Sequence, residues 1–181
     1  DSLHSQLDIP ILYVTHSQDE TSRLADHIML IEDGKIIGNG PINEMLTRFD
    51  LPLSHSGDAI SIFDARVMSR DTDFNLMHLE FKGGQFIVPD NKLPIESLVR
   101  IRVAARDVSI TKKKQTDTSI LNIFPAVVEE MVPEGDAQVM VRLTLKGVVL
   151  LACLTRKSAS SLKLDQGLSV FIQVKSVAIL S

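Results

Sequence analysis

Apolar and polar positions alternate with a period of two through much of the second half of the chain. Ala137, Val139, Val141, Leu143 and Leu145 interleave with Gln138, Met140, Arg142, Thr144 and Lys146, which predicts a half-buried strand. Lys146-Gly147 then turns the chain back into Val148–Leu154, completing a hairpin. Val170, Ile172 and Val174 alternate with Phe171, Gln173 and Lys175 in the same way, and Ser158–Leu164 is the one helical turn expected in this region. The pattern also repeats. Val99–Val103 followed by Val108 and Ile110 echoes Val170–Val174 followed by Val177 and Ile179. Each copy closes a segment of short strands, so two similar small barrels are expected, because closure removes exposed sheet edges.

The first fifty residues have a different texture. Ile9–Val14, broken by Pro10, is a short apolar run expected to be a buried strand ending in Thr15-His16. Ser17–His27 predicts a short helix with Ser17 as N-cap and Asp19 and Glu20 favoured by the N-terminal dipole. Ile28–Ile31 and Lys35–Gly38 predict two strands joined by a tight turn at Asp33-Gly34. Pro41–Phe49 predicts a further helix. Leu51–Gly57, with Pro, Ser and Gly, reads as a linker. The expected fold is therefore α+β overall: an α/β portion over 1–50, a linker over 51–57, a first small β-barrel with a polar connector over 58–117, and a second barrel over 118–181.

Composition narrows the function classes. A chain of 181 residues with 44% hydrophobic residues is globular rather than disordered. A single cysteine excludes an internal disulfide framework and a CxxC zinc site. No apolar run is long enough to span a membrane, and the start of the chain has no basic flank of a signal peptide. The chain begins mid-pattern without Met, so a piece of a longer protein in a reducing, cytoplasmic compartment is expected. A net charge of −4, one Tyr and no Trp argue against a nucleic-acid module. His4, His27, His55 and His78 have no metal-ligand spacing, so no metal site is expected. Cys153 lies in an apolar strand and reads as a small hydrophobe, and Phe63, Phe74, Phe81, Phe86 and Phe124 read as barrel core.

His16 carries the first chemistry. An imidazole at the carboxyl end of an α/β strand can donate to a phosphate oxygen. The run Ile11–Glu20 (ILYVTHSQDE), with Leu24-Ala25-Asp26 and the Asp33-Gly34-Lys35-Ile36 hairpin that follows, resembles the tail of an ABC-transporter nucleotide-binding domain. The resemblance implies that His16 is the switch histidine, which contacts the γ-phosphate. The chain has no GxxxxGK[ST] phosphate loop, no LSGGQ-like signature and no apolar strand ending in Asp-Glu. ATP and Mg²⁺ are thus expected to be bound by the full-length protein, with no tight binding by residues 1–50 alone.

The C-terminal residues carry a second resemblance. Thr118-Ser119-Ile120-Leu121-Asn122, with Gly135, Lys146-Gly147, Leu154-Thr155, Ser158, Gly167 and Lys175-Ser176-Val177, is similar to the molybdate-binding Mop/TOBE-like domain. Joined to an ABC-type tail, this resembles the ATP-binding subunits of molybdate ABC importers. The resemblance implies oxyanion-binding residues at Ser119, Ile120, Leu121, Thr155, Ser158, Lys175 and Ser176, with molybdate or tungstate as ligand. It also implies a homodimer at the cytoplasmic face of the membrane, a membrane-embedded permease, and indirectly a periplasmic or extracellular oxyanion-binding protein. Leu121 stands where the family often carries Arg, which leaves Lys175 as the cation of the mapped set. Asn122 reads as a turn-former. Two alternatives stay open: barrels that serve packing only, and a cytoplasmic molybdate-binding storage or regulatory protein without ATPase activity.

Overall fold

The computed structural model describes residues 10–55 and 59–180. Helix α1 covers Gln18–Leu24, and the Ser17 hydroxyl caps it by accepting from the Glu20 amide at 3.3 Å. Strands β1 (His27–Glu32) and β2 (Lys35–Pro41) form an antiparallel hairpin. Its turn has φ of 48° at Asp33 and 74° at Gly34, the positive pair that a tight hairpin of this hand requires. Helix α2 is shorter than expected, Ile42–Met45, with Pro41 as its N-cap. The Thr47 hydroxyl donates to the carbonyls of Asn43 and Glu44, each at 3.1 Å, and so competes for the acceptors that would extend the helix.

Two expectations for this portion change. Residues 10–14 form no strand, and Leu12 and Val14 are 92% and 90% exposed. A buried strand needs hydrogen-bonded neighbours, and among the described residues none pairs with this segment. Leu51–His55, expected as linker, is packed: a 3₁₀ turn covers Pro52–Ser54, Leu51 is buried, and the Ser54 hydroxyl donates to the Arg48 carbonyl at 2.6 Å. Residues 56–58 of that expected linker lie outside the described residues.

The rest of the chain is two five-stranded sheets. In chain order the strands are β3 (Ile60–Asp71), β4 (Leu76–Phe81), β5 (Gly84–Pro89), β6 (Leu98–Ala104) and β7 (Val108–Thr111). Then follow β8 (Asn122–Glu134), β9 (Gln138–Leu145), β10 (Val148–Thr155), β11 (Ser169–Val174) and β12 (Ala178–Leu180). One sheet runs β12-β6-β3-β4-β5 and the other β7-β11-β8-β9-β10. The orders are the same if each half keeps its first four strands and gives its fifth to the other half. The repeat in the sequence is this exchange: β6 leads into β7 as β11 leads into β12, and each short strand crosses over. The boundary expected between 117 and 118 therefore does not separate the sheets.

The register shows how deep the repeat runs. Ile62-Phe63-x-Ala65-x-Val67 on β3 corresponds to Ile123-Phe124-x-Ala126-x-Val128 on β8. Both strands carry a bulge just after this run, between Val67 and Ser69 and between Val128 and Glu130. Val67 exchanges backbone bonds with Glu96 and Ser97, as Val128 does with Gly167 and Leu168. Glu96 and Gly167 take the same left-handed backbone, φ 68° and 82°. The residue just before each run reaches across to the opposite sheet. The Asn122 carboxamide accepts from the Ile87 amide at 2.7 Å and donates to the Ile87 carbonyl at 3.0 Å, and the Ser61 hydroxyl accepts from the Leu151 amide at 2.9 Å. Asn122 is thus a clamp between sheets rather than a turn-former.

Both sheets share one core, which runs from Phe63, Val67 and Phe86 to Val128, Leu143 and Ile172. Phe63, Phe81 and Phe86 stack within it, with Phe81 and Phe86 centroids 4.6 Å apart, and Phe124 meets Phe81 and Phe86 edge-on. Phe74, expected as core, lies in the β3–β4 turn and is 75% exposed. Cys153 sits half-buried on β10, and burial pushes its thiol pKa up. Helix α3 (Arg156–Leu162) starts two residues before the expected turn because Thr155 caps it, and it ends at Lys163 with φ 48°. A second apolar cluster joins the N-terminal portion to the sheets, with Ile28, Ile42, Met45, Leu46 and Leu51 packed against Ile60 and Ile62.

Two outcomes follow for stability. Asn122→Ala removes two hydrogen bonds and strands the part-buried amide and carbonyl of Ile87, at up to about 1–3 kcal/mol for each stranded group. Its loss in urea unfolding is expected to exceed that of Ser61→Ala, which strands one amide. The second outcome concerns pH. His55 Nδ1 lies 3.1 Å from Glu134 Oε2, and Nε2 lies 2.6 Å from the Phe49 carbonyl oxygen. Both neighbours accept, so the pair of contacts fits the imidazolium. The Phe49 carbonyl foremost, then Glu134, raise the His55 pKa against the opposing effect of burial. A raised folded-state pKa gives a contribution that is complete below the unfolded value of about 6.5 and fades as pH rises through the folded value. The melting-temperature difference between wild type and Glu134→Gln is expected to shrink over that window.

Candidate functional site

His16 lies in irregular chain just ahead of α1, exposed, and its side chain makes no hydrogen bond among the described residues. The expected strand end that would aim it into a sheet crevice is not formed. Its two neighbours are fixed. The Thr15 hydroxyl donates to Glu20 at 2.5 Å and accepts from the Ser17 amide at 3.0 Å, and the Tyr13 hydroxyl donates to the same Glu20 oxygen at 3.3 Å. The segment bearing His16 is therefore tied to the first turn of α1.

The seven residues expected to hold an oxyanion fall into two groups. Val174, the last residue of β11, pairs with Asn122, the first of β8. That register sets Ser119, Ile120 and Leu121 beside Lys175 and Ser176 at one end of the sheet. Ser119, Lys175 and Ser176 are exposed, and their side chains make no bond within the described residues. The Ile120 amide already donates to the Thr118 hydroxyl at 3.2 Å. Leu121 is 59% exposed, so a longer side chain has room there. Thr155 and Ser158 form the second group. Their hydroxyls share a hydrogen bond at 2.8 Å, and the Ser158 amide donates to Thr155 Oγ1 at 3.1 Å.

The two groups are not brought together. Thr155 pairs with Gln138, which pairs with Glu134, the last residue of β8. The groups therefore sit at opposite ends of a 13-residue strand, on the order of 40 Å of chain contour at about 3.3 Å per residue. One small anion cannot touch both within a single chain. The donors at the Ser119 end still suit a tetrahedral oxyanion, which has only acceptors: two unpaired hydroxyls and an ammonium.

Sequence reasoning missed the groups that surround these positions. The Lys175 amide donates to the Asp107 carbonyl at 2.9 Å, so Arg106 is next in sequence to a residue bonded to the Ser119–Lys175 end. The Arg-Asp-Val run at 106–108 was the available signal. Arg100 and Arg102 on β6 and Arg142 on β9 bind the N-terminal portion. Nothing in local patterning marks them, because their partners lie 75, 83 and 95 residues away in the chain.

No helix among the described residues is long and apolar enough to cross a membrane. Residues 118–180 match the TOBE domain family. Over 98% of its length the chain is 47% identical to the molybdenum import ATP-binding protein ModC of Albidiferax ferrireducens, covering 48% of that protein. It is 43% identical to the protein of the same name from Methylococcus capsulatus, over 98% of this chain and 50% of the relative. The chain thus spans about half the length of these relatives. Among solved structures it resembles the cytoplasmic molybdate-binding protein ModG with molybdate bound, at a TM-score of 0.58 and 20% identity, over 66% of this chain and 94% of that one. At that identity the likeness is one of fold. The chain is accordingly similar along almost its whole length to the molybdenum import ATP-binding proteins, and its residues 118–180 match the TOBE domain family.

Proposed function

We propose that the chain forms part of the ATP-binding subunit of a molybdate or tungstate ABC importer, peripheral to the cytoplasmic face of the membrane. In the complete protein, ATP with Mg²⁺ supplies the phosphoryl bond whose hydrolysis drives uptake through a membrane-embedded permease, fed by an extracellular or periplasmic oxyanion-binding protein. Residues 1–50 close the ATPase domain, 51–57 connect it, and the two strand-exchanging halves over 58–117 and 118–181 pair two subunits and sense oxyanion. His16 donates an imidazole N–H to the γ-phosphate. One observation supports this reading above the others: a segment that matches the TOBE family follows an ABC-type tail in one chain, and that tail packs on Ile60 and Ile62 of β3 and on Leu180 at the end of the matched segment. A free-standing oxyanion-binding protein has no use for that tail, although the fold likeness to ModG favours it as the second reading.

The donor set explains why two copies are needed. Ser119, Lys175 and Ser176 supply few donors and little burial, too little to replace the water around a dianion. Thr155 and Ser158 stand at the far end of the same sheet. A second copy that brings its Thr155 end against the Ser119 end would complete a site, and the homodimer would then depend on ligand.

Two outcomes test the reading. The 181-residue chain itself is expected to show no Mg²⁺-dependent ATP turnover, whereas His16→Ala in the full-length protein should lower turnover by about 10²–10³-fold, the usual loss for a donor at a developing charge. Near-normal transport by that variant would reduce His16 to a structural residue. Calorimetry with molybdate is the second test. A charge-assisted bond is worth roughly 1.5–3 kcal/mol, so Lys175→Ala should weaken binding about 10- to 100-fold. Leu121→Arg should strengthen it. Unchanged affinity in Lys175→Ala would move the site to other residues, and absence of binding in all three proteins would leave the barrels as packing elements.

A further inference from the structure

The N-terminal portion and the sheets meet through more than the apolar cluster. Arg100 and Arg102 project from the same face of β6 and hold both ends of α1. Arg102 donates to the Asp19 carboxylate in the first turn at 2.7 Å. Arg100 donates to the Ala25 carbonyl, at the C-cap, at 2.7 Å and to the Asp26 carboxylate at 2.6 Å, and its Nε lies 3.6 Å from Asp64. Helix α1 is only seven residues long, so two grips fix its position and its tilt. Through Glu20 the same helix holds Thr15 and Ser17, the neighbours of His16.

The strand that flanks these arginines comes from the other half of the molecule. In β12, Ala178 pairs with Arg102 and Leu180 with Arg100. Directly opposed residues share a face of the sheet, so Leu180 lies on the side that faces the N-terminal portion, and it packs against the cluster that also takes Ala25. Upstream, β12 is joined to β11 by Lys175, Ser176 and Val177 alone. Three residues span at most about 10 Å. Movement of Lys175 and Ser176 is thus delivered to a short edge strand with little slack to absorb it, beside the two arginines that grip α1.

We propose that Arg100 and Arg102 are the coupling residues of this protein: they carry the state of the Lys175–Ser176 end of the TOBE domain to the segment bearing His16. This rests on the oxyanion-sensing reading above and adds its route. When the anion draws Lys175 and Ser176, β12 shifts against β6, the arginines shift α1, and His16 moves with it. The two residues touch neither nucleotide nor oxyanion; they act through α1. An ordinary structural joint would use the same contacts, so the test must read the response to ligand rather than stability.

The experiment uses the full-length protein assembled with its permease in membrane vesicles, with sodium molybdate as the probe. ATPase activity is measured with and without molybdate, and molybdate affinity is measured by calorimetry on each protein. In wild type the added anion is expected to lower turnover by about fivefold or more, the lower end of ordinary coupling between sites. The Arg100→Met/Arg102→Met double variant is expected to bind molybdate with wild-type affinity and to show a ratio of activities near one. Asp19→Asn removes the charge partner that Arg102 shares with Arg23 of the same helix, at an exposed position, so it keeps the test open if the double variant does not fold; it should lose part of the response. Full inhibition in either folded variant at unchanged affinity would overturn the coupling route alone. A wild-type protein that binds no molybdate, or binds it without any change in turnover, would overturn the sensing reading and the route with it.

Discussion

The structure depends on a reciprocal exchange of end strands. Strand β7 leaves the half that precedes it in sequence and completes the sheet of the other, and β12 returns the exchange. Neither half can close its own sheet without a strand from its neighbour. The exchange also explains the single core: β10 packs on β3 and β7, so the apolar faces of both halves meet instead of closing separately. The Asn122 and Ser61 bonds stand at equivalent places in the repeat and point in opposite directions across it. A buried polar side chain is stabilising only with its bonds made, so these two residues fix the relative setting of the sheets as well as their contact.

The joint between the sheets and the N-terminal portion divides its labour between apolar and polar groups. Fully burying side chains such as Ile42, Met45, Leu46 and Leu51 contributes about 1.5–3 kcal/mol each, as an upper bound. The Arg102–Asp19 pair, with side chains 34% and 58% exposed, is worth about 0–1 kcal/mol. The cluster therefore holds the joint together, and the arginines set its angle. Hydrophobic burial is non-directional, whereas a guanidinium has donors in a fixed fork. Affinity and orientation are thus carried by different residues, which lets the orientation change without the joint coming apart.

Much of this was legible in the sequence. Period-two alternation located β9 and β11, the Lys146-Gly147 turn and the apolar run after it located β10, and Asp33-Gly34 located the first hairpin. The echo of Val99–Val103 in Val170–Val174 identified the repeat. It could not show the exchange, because alternation reports which face of a strand is buried and not which sheet receives it. Phe74 was misplaced for a related reason: an aromatic beside a turn reads as core until the turn position is known. The residues proposed for the oxyanion read as a set of donors, but strand register decides which of them are neighbours, and register is a property of pairing. The ties made by Arg100, Arg102 and Arg142 were beyond reach, since no periodicity links residues that meet only after two sheets have formed.

The placement of those donors bears on how such a domain can sense an anion at all. A site complete within one chain would be filled or empty without changing any contact between subunits. Here the hydroxyls and the ammonium at the Ser119 end are exposed and uncommitted, while Thr155 and Ser158 are committed to each other at the start of α3. Desolvating a dianion between partly built surfaces costs more than at a finished pocket, and that cost is recovered only when both surfaces close on it. In the proposed function, ligand binding and subunit contact would become one equilibrium. The short Lys175–Val177 connection would tie that equilibrium to β12, which pairs with β6 on the face that meets the N-terminal portion. Strand exchange is therefore what gives the second half of the chain a mechanical hold on the first.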